Sequence, residues 1–313
     1  MSLAFVFPGQ GAQTIGMGRD IAEAYPAAKA VFDEVDDALE EKLSSLIWEG
    51  EQETLTLTEN AQPALMATSI ATLRALEAEG VPVTKAAYVA GHSLGEYSAL
   101  AAAGAISVAD TARLLRLRGK AMQNAVPVGV GAMAAILGLD IDTVRAVAEE
   151  AAQGDVCSAA NDNDPAQVVV SGHKAAVERA TVIAKEKGAK RALMLPVSAP
   201  FHCSLMAPAA GEMAEALSHV EMIDPPVPVV SNVLARPCSS SSTIVSLLVE
   251  QVTHTVRWRE SIEWMVNEGG VTSFCEIGAG KALSGMIRRI AKDSETRAVG
   301  SAEDVRSAAS ALG

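Results

Sequence analysis

The pentapeptide at 91–95, Gly-His-Ser-Leu-Gly, matches the G-x-S-x-G pattern of a serine nucleophile. The short apolar run at 87–90 before it predicts a buried strand, and the Leu- and Ala-rich segment at 94–103 predicts a helix. Such a tight turn needs glycine on both sides of the serine, and it exposes the hydroxyl beside a helix N-terminus. A glycine-rich turn with an incidental serine is the alternative. The flanking strand and helix favour Ser93 as a nucleophile.

A nucleophilic serine needs a base, and the chain contains five histidines. His92 adjoins the serine on the turn, where neighbouring side chains point in different directions. His173, His219 and His254 occupy positions typical of a protein surface. His202 follows a proline in a loop that returns to the main sheet, so it is the preferred base. The sequence shows no obvious acidic partner for it.

The composition indicates a large globular chain without a nucleic-acid or membrane partner. Of 313 residues, 49% are hydrophobic but only 4% aromatic, so aliphatic side chains must form the core. A formal net charge of −13 argues against nucleic acid and anionic membranes. Four separated cysteines without a C-x-x-C pair indicate free thiols in a reducing compartment. No signal peptide or membrane-spanning run is found, so we expect a cytoplasmic protein.

The order of the predicted elements indicates an α/β fold in two parts. Residues 1–126 and 198–313 predict a large α/β-hydrolase-like subdomain with a parallel sheet. Residues 127–197 follow the β-α-β-β-α-β order of an inserted ferredoxin-like subdomain. The polar run at 161–165, Asn-Asp-Asn-Asp-Pro, is predicted to be the middle turn of this insertion.

Local signals also place helices in the large subdomain and exclude two nucleotide motifs. Pro63 predicts the first turn of a helix to about residue 79, and Ser107 opens another, to about residue 124, with a capping box. Thr14 stands where a dinucleotide fingerprint needs its third glycine. Lys281 follows a glycine, but the rest of a phosphate-binding loop is missing.

Five motifs occur together and in order: Phe-Pro-Gly-Gln-Gly-Ala-Gln at 7–13, Gly-His-Ser-Leu-Gly-Glu-Tyr at 91–97, Arg-Gly-Lys at 118–120, Phe-His at 201–202 and Glu-Ile-Gly-Ala-Gly-Lys at 276–281. From residue 3 to about 300, the chain resembles the malonyl-CoA:acyl carrier protein transacylases of fatty acid synthesis. The resemblance implies a ping-pong transfer of malonyl from malonyl-CoA to the phosphopantetheine thiol of acyl carrier protein, through a malonyl-serine intermediate. It implies no cofactor, and we expect a monomer.

The resemblance also implies a role for each matching residue. Ser93 would be the nucleophile and His202 its base. The main-chain N–H groups of Leu94 and Gln10 would hold the oxyanion. Gln251 stands where the family orients its histidine through a main-chain carbonyl instead of a carboxylate, which fits the missing acid.

The same resemblance implies how the substrate is selected. Arg118 would clamp the free carboxylate of malonate with the fork of its guanidinium. Acetyl-CoA would leave that guanidinium unpaired, at a cost of about 1–3 kcal/mol or more. Phe201 resembles a phenylalanine that crowds a 2-methyl group in malonyl-selecting domains, and Met122 is assigned to the substrate site with it.

Three other functions stay open. A serine hydrolase or thioesterase would use Ser93 and His202, but it would leave Arg118 and the loop at 7–13 unexplained. A non-catalytic subunit that binds coenzyme A or a carrier would not need a serine–histidine pair. An acyltransferase of polyketide synthesis would use the same chemistry as the preferred function.

A carrier partner raises an electrostatic problem, because acyl carrier proteins are usually acidic and this chain is acidic too. We therefore expect a local basic patch near the mouth of the site. The candidates are Lys185, Lys187, Lys190, Arg191, Arg288 and Arg289.

Overall fold

The computed structural model describes residues 2–197 and 199–313. The strands in these residues are β1 (Leu3–Phe7), β2 (Tyr88–Gly91), β3 (Gly131–Leu137), β4 (Cys157–Asp164), β5 (Gln167–His173), β6 (Arg191–Met194), β7 (Val229–Val230), β8 (Pro237–Cys238), β9 (Ser273–Ile277) and β10 (Glu295–Val299). The α-helices are α1 (Arg19–Ala24), α2 (Pro26–Leu39), α3 (Leu43–Glu49), α4 (Gln52–Thr56), α5 (Thr58–Ala78), α6 (Leu94–Ala102), α7 (Val108–Asn124), α8 (Ile141–Ala152), α9 (Lys174–Glu186), α10 (Ala207–Ser218), α11 (Ser241–Gln251), α12 (Trp258–Asn267), α13 (Ala282–Ile290) and α14 (Ala302–Leu312). None of these helices is both long enough and apolar enough to span a membrane.

The larger of two sheets has the strand order β10-β9-β1-β2-β7-β8. Its strands are parallel from β10 to β7, and only β8 runs antiparallel, at the edge. The register places Phe7 opposite Gly91, so the carboxyl ends of β1 and β2 lie side by side. The loops that follow these two strands therefore meet at one edge of the sheet, where open α/β sheets place their ligands.

Alternating side chains of the central strands fill a hydrophobic layer on each face of this sheet. Phe5 and Phe7 of β1 belong to the core on one face, which α2, α5, α6 and α7 cover. Val6 belongs to the core on the other face, together with Trp258 of α12 and Leu283 of α13. Burial on both faces explains why the parallel strands are short, continuous apolar runs in the sequence.

The second sheet is antiparallel, in the order β4-β5-β3-β6. Helices α8 and α9 contribute Val144, Val147 and Val177 to a separate core against it. The chain order β3-α8-β4-β5-α9-β6 is that of a ferredoxin-like unit. The predicted α/β fold, a mainly parallel sheet with an inserted ferredoxin-like unit, is confirmed. The exact limits of the insertion stay a prediction, and Ser198, at its predicted end, lies outside the described residues.

One local prediction in the insertion is wrong. Residues 161–164 of the predicted middle turn belong to β4, which continues to Asp164 with two irregularities in its pairing to β5, and only Pro165 lies in the turn that follows. Its polar side chains are buried because they find partners outside the sheet. Asp162 is bonded to Arg259 of α12 at 2.8 Å, and Asp164 to Arg289 of α13 at 2.7 Å. The sequence predicts a turn here because a polar run is typical of one, and the partners that allow its burial are distant in the sequence.

A second local prediction is also wrong. Helix α5 begins at Thr58, and Pro63 lies inside it instead of in its first turn. The preceding turn contains Asn60 and Gln62, both buried. Asn60 donates to the main-chain oxygen of Thr54 at 2.8 Å, which anchors this turn despite the helix hydrogen bond that the proline removes. Helix α7 follows Ser107 as predicted, and the serine hydroxyl accepts a hydrogen bond from the N–H of Asp110.

Candidate active site

Ser93 lies on a sharp turn between β2 and α6. Its backbone adopts φ 54° and ψ −110°, a costly conformation for a residue with a side chain. A Cβ atom on Gly91 would overlap the backbone of Gly95, and one on Gly95 would overlap the main-chain oxygen of Phe7. Only glycine therefore fits on either side of the serine. The strand, turn and helix that the G-x-S-x-G motif requires are all present.

His202 is hydrogen-bonded to this serine. Its Nε2 lies 2.8 Å from Ser93 Oγ, and its Nδ1 lies 2.8 Å from the main-chain oxygen of Gln251. Because a carbonyl oxygen can only accept, Nδ1 carries the ring proton, and Nε2 is left to accept from the serine. Burial and the charge of Arg118 lower the pKa of His202 to about 3. The ring is therefore neutral at neutral pH and can receive the hydroxyl proton.

The guanidinium of Arg118 is buried beside this pair, with 1% of the residue exposed. Nη2 donates to Ser93 Oγ at 3.2 Å and to Gln251 Oε1 at 2.7 Å, and Nη1 donates to Gln62 Oε1 at 2.8 Å. The ring of Tyr97 lies 5.6 Å from the guanidinium carbon. Nε has no partner in the part of the chain that the structure describes. A buried cation held by neutral groups is suited to an anionic ligand.

The two residues predicted to supply main-chain N–H groups to an oxyanion lie just after the ends of β1 and β2. Leu94 is the first residue of α6, so its N–H has no acceptor within the helix. Gln10 belongs to the glycine-rich loop after β1, and its side chain donates to Thr58 Oγ1 at 3.3 Å. Leu94 and Gln10 line the same cavity as Ser93. This position allows both N–H groups to serve as donors to an oxyanion.

A cavity of about 450 Å³ lies between the two sheets, with the serine and the arginine in its wall. Met133, Ala135 and Val169 of the second sheet contribute apolar side chains to the lining. Phe201 and Met122 line it as well, and both are buried. The cavity thus combines one cation and one nucleophile with largely apolar walls, as a site for a small acyl group requires.

Comparisons with known proteins match this chain to one family. The model of the acyl transferase domain matches residues 4–311. The chain belongs to the acyl transferase domain family. It is 49% identical over 311 residues to the malonyl CoA-acyl carrier protein transacylase of Bacillus subtilis (strain 168), covering 99% of this chain and 97% of that protein. The resemblance stated from the five motifs is therefore confirmed.

Solved structures of other acyl transferases have the same fold. An acyl-carrier-protein-S-malonyltransferase from Bartonella henselae superposes with a TM-score of 0.97 at 55% identity, over 100% of both chains. A malonyl-transacylase solved in complex with a type II PKS acyl-carrier protein gives a TM-score of 0.96 at 43% identity, over 99% of this chain and 100% of that one.

The eight predicted site residues of this acyl transferase come together in the structure. Seven of them line the cavity: Gln10, Ser93, Leu94, Arg118, Met122, Phe201 and His202. Gln251 lies behind them, bonded to Arg118 and to His202. Their roles in a reaction are not tested by this geometry and stay predictions.

Three further residues hold the site in place, and the sequence analysis assigned none of them a role. Asn232 accepts the N–H of Ser93 through Oδ1 at 2.8 Å and donates from Nδ2 to the main-chain oxygen of Gly91 at 2.7 Å, so it braces the turn. Gln62 accepts a hydrogen bond from the guanidinium of Arg118. Glu96 accepts a hydrogen bond from Gln251. Of these three, only Glu96 could have been found from the sequence, since it belongs to the motif at 91–97.

The two asparagines of β4 also line the cavity. Asn163 Oδ1 lies 2.8 Å from His92 Nε2, which fixes the ring of that histidine away from the serine. Burial lowers the pKa of His92. His92 therefore has a partner of its own and makes no hydrogen bond to Ser93 among the described residues, as its place on the turn had suggested.

Proposed function

We propose that this chain transfers a malonyl group from malonyl-CoA to the phosphopantetheine thiol of acyl carrier protein, supplying fatty acid synthesis. One observation carries the proposal: the buried guanidinium of Arg118 lies within 3.2 Å of the hydroxyl of Ser93, and its hydrogen bonds among the described residues go to neutral groups, so that no carboxylate contacts it directly. An acyl group with a free carboxylate satisfies the guanidinium while its thioester lies at the serine. The similarity to malonyl transacylases supports the same substrate.

In the first half-reaction, Ser93 Oγ attacks the thioester carbon as its proton passes to His202 Nε2. The carbonyl oxygen becomes an oxyanion, and the N–H groups of Leu94 and Gln10 stabilise it. When the C–S bond breaks, the sulfur of coenzyme A takes the proton from His202. The products are a malonyl ester on Ser93 and free coenzyme A. The main-chain oxygen of Gln251 keeps the ring oriented and stabilises its transient positive charge.

The second half-reaction reverses these steps with a different thiol. The phosphopantetheine thiol gives its proton to His202 Nε2 and attacks the ester carbon. The C–O bond to Ser93 then breaks, and the serine oxygen recovers the proton. The chain and its two substrates supply every group that the scheme needs, so the proposal includes no cofactor. A monomer in the cytoplasm remains our expectation.

Phe201 and Met122 are proposed to select among dicarboxylic acyl groups. Both line the cavity that contains Arg118, so they bound the space around a malonyl group held there. A 2-methyl group would need additional room beside the rigid phenylalanine ring. We therefore propose that Phe201 disfavours methylmalonyl groups by steric crowding.

Intact-protein mass spectrometry after brief mixing with malonyl-CoA tests the proposed function. We expect one malonyl adduct per chain, which disappears when a carrier protein with a free phosphopantetheine thiol is added and reappears on that carrier. An adduct that is lost to water at the same rate with or without the carrier would identify a hydrolase instead. The absence of any adduct would overturn the proposal in favour of a binding subunit.

The candidate basic residues for carrier docking differ in their surroundings. Lys187 already pairs with Glu150. Arg289 pairs with the buried Asp164. Arg288 lines a separate groove at the amino ends of the strands, away from the cavity.

Lys190 and Arg191 suit docking better. Both are exposed at the start of β6, and the segment 195–197 that follows this strand lines the cavity. We propose that these two cations attract an acidic carrier towards the mouth of the site.

Reversal of both charges, Lys190→Glu with Arg191→Glu, is expected to raise the KM for the carrier protein by about tenfold, because exposed charges contribute about 0.2–1 kcal/mol each. The malonyl-CoA half-reaction should keep its rate. Steady-state kinetics with varied carrier and pre-steady-state adduct formation measure the two effects. Lys292→Glu, in the groove at the opposite edge of the sheet, is the matched control. Equal changes in both half-reactions would contradict this docking surface.

A further inference from the structure

Glu96 has no part in the proposed reaction, yet its carboxyl group is hydrogen-bonded to Gln251, directly behind the cavity-lining residues. It occupies the first turn of α6, and only 2% of the residue is exposed. Oε2 accepts hydrogen bonds from Gln251 Nε2 at 2.7 Å and from the main-chain N–H of Asn232 at 3.2 Å. A buried carboxyl is costly when ionised unless a cation lies near it. The arrangement therefore needs a physical explanation.

The side-chain amide of Gln251 connects this carboxyl to the guanidinium. Its Oε1 accepts from Arg118 Nη2 at 2.7 Å, and its Nε2 donates to Glu96 Oε2 at 2.7 Å. An amide polarised from both ends in this way links the opposite charges of the two residues. The main chain of Gln251 accepts from His202 as well, so Glu96 is joined through one residue to both the cation and the base.

Glu96 is also the counter-charge of Arg118. The acidic groups whose charge acts on this guanidinium are Tyr97 and Glu96. Burial raises the pKa of Tyr97 to about 12, so the phenol is uncharged at neutral pH. That leaves the carboxylate of Glu96 to balance the guanidinium when the cavity holds no acyl group.

We propose that Glu96 is a positioning residue that acts as a removable counter-charge: it balances Arg118 in the free enzyme and takes up a proton from solvent when the malonyl carboxylate binds there. The inference rests on the proposed function, because it requires a carboxylate at Arg118. The step forms an O–H bond on Glu96, and the proton comes from the acid form of the buffer. Glu96 would thereby release Arg118 to pair with the substrate.

The balance of forces on Glu96 supports such a step. Burial raises its pKa to about 7, against the hydrogen bonds from Gln251 and Asn232 and the charge of Arg118, which lower it. A second carboxylate at Arg118 places a like charge nearby and raises the pKa further, so a proton is taken up near pH 7.

The other titratable groups around Glu96 do not take up this proton. Tyr97 is already protonated, and Arg118 keeps its proton at neutral pH. His202 and His92 have lowered pKa values and are neutral in the free enzyme. Glu96 is therefore the group in this network whose protonation changes near pH 7.

Calorimetric titration of the Ser93→Ala variant tests the proposal, because this variant can bind malonyl-CoA without transferring the acyl group. Titrations at pH 7 in two buffers of different ionisation enthalpy give the number of protons exchanged. We expect an uptake of about 0.4–0.5 proton per malonyl-CoA, as a half-ionised carboxyl becomes almost fully protonated after a shift of about 1–2 pKa units. Because binding takes up a proton, the Kd should rise about tenfold from pH 6.5 to 8.5.

Two comparisons assign the proton to Glu96. Acetyl-CoA has the same coenzyme but no carboxylate, so it should bind without proton uptake. Adding Glu96→Gln to Ser93→Ala should abolish the proton uptake on malonyl-CoA binding and flatten the dependence of Kd on pH. If this double variant does not fold, the comparison of malonyl-CoA with acetyl-CoA in the single variant still decides whether proton uptake depends on the carboxylate of the substrate. Malonyl-CoA binding with no proton uptake and a constant Kd would overturn the proposal.

Failure of the proposed function would give a different result. In that case wild-type protein would form no malonyl adduct, and Ser93→Ala would bind malonyl-CoA no better than acetyl-CoA. That outcome overturns the counter-charge role together with the function on which it rests. A wild-type adduct without proton uptake in the variant overturns the role of Glu96 alone.

Discussion

Replacement of Ser93 by alanine is expected to abolish the malonyl adduct and to lower the rate of malonyl transfer by about 10⁴-fold or more. The alanine removes the only oxygen from which the proposed ester can form, and loss of a nucleophile from a serine–histidine pair has effects of this size in serine enzymes. The fold should persist, because the substitution removes no hydrophobic contact of the core, and Asn232 can still accept a hydrogen bond from the main-chain N–H of residue 93. Mass spectrometry and steady-state transfer assays measure the two losses.

Ser98→Ala provides the matched control. Ser98 is buried in α6, the helix that follows Ser93, and its hydroxyl has no hydrogen-bond partner within the described residues. This variant loses the same atom five residues further along the chain, away from the cavity lining, so its adduct and its transfer rate should match wild type. An adduct that still forms on Ser93→Ala would show that the acyl group is held elsewhere, and it would contradict the proposed intermediate.

Replacement of Arg118 by alanine is expected to lower kcat/KM for malonyl-CoA by about 10²–10³-fold and to raise it for acetyl-CoA. Truncating one member of a buried charge pair costs about 2–5 kcal/mol, and the malonyl carboxylate would be the member left unpaired. Acetyl-CoA gains because its methyl group no longer covers a buried guanidinium with which it can form no hydrogen bond. Competition between the two thioesters, with the acyl-enzyme resolved by mass, measures the change in selectivity.

The charge of Arg118 also affects the basicity of His202. It contributes to the low pKa of His202, so an acyl group without a carboxylate leaves that histidine a weaker base than malonyl does. The Arg118→Ala variant removes this penalty for acetyl transfer. We therefore expect part of the acetyl gain in kcat and part in KM. An unchanged ratio of malonyl to acetyl transfer would contradict the role of the arginine in selection.

Arg113→Ala is the control for this substitution. Arg113 lies on the same helix, but it is exposed and pairs with Asp110 at 3.0 Å. The variant removes a guanidinium of the same helix without changing the charge inside the cavity. Both thioesters should react as they do with wild type.

The site shows how a serine–histidine pair can work without a carboxylate in direct contact with the base. The main-chain oxygen of Gln251 fixes the tautomer of His202, while the side chain of the same residue contacts Arg118 and Glu96. One glutamine thus contacts the histidine, the guanidinium and the buried carboxyl group. Displacement of Gln251 is expected to affect both the chemistry and the selection of the acyl group.

The sequence determined the parts of this protein that depend on local stereochemistry. The turn at Ser93 could be predicted because its motif is contiguous, and because only glycine at 91 tolerates the close approach of the backbone of Gly95, four residues further on. The ferredoxin-like order of elements at 131–194 could be predicted from apolar periodicity and turn residues. The start of α7 could be predicted because the capping hydroxyl of Ser107 and its N–H partner are three residues apart.

The role of Arg118 depended on more than the local sequence. Its position on a helix with several other cations gives no sign of burial, and only the resemblance to a family singled it out. Only the resemblance singled out Gln251 and Gln10 as well, because their spacing in the sequence predicts no functional role.

Only the tertiary structure decided how the polar groups of the site are satisfied. Asn232 reaches Ser93 across 139 residues, and Gln251 reaches Glu96 across 155. Hydrogen bonds over such separations leave no periodic trace in the sequence, because any element that ends nearby can supply the partner. The polar segment at 161–164 of β4 resembles a turn in the sequence for the same reason, since burial of Asp162 depends on Arg259 in a distant helix. Local backbone geometry was therefore encoded within short windows, whereas the partners of buried charges were fixed only by the packing of the whole chain.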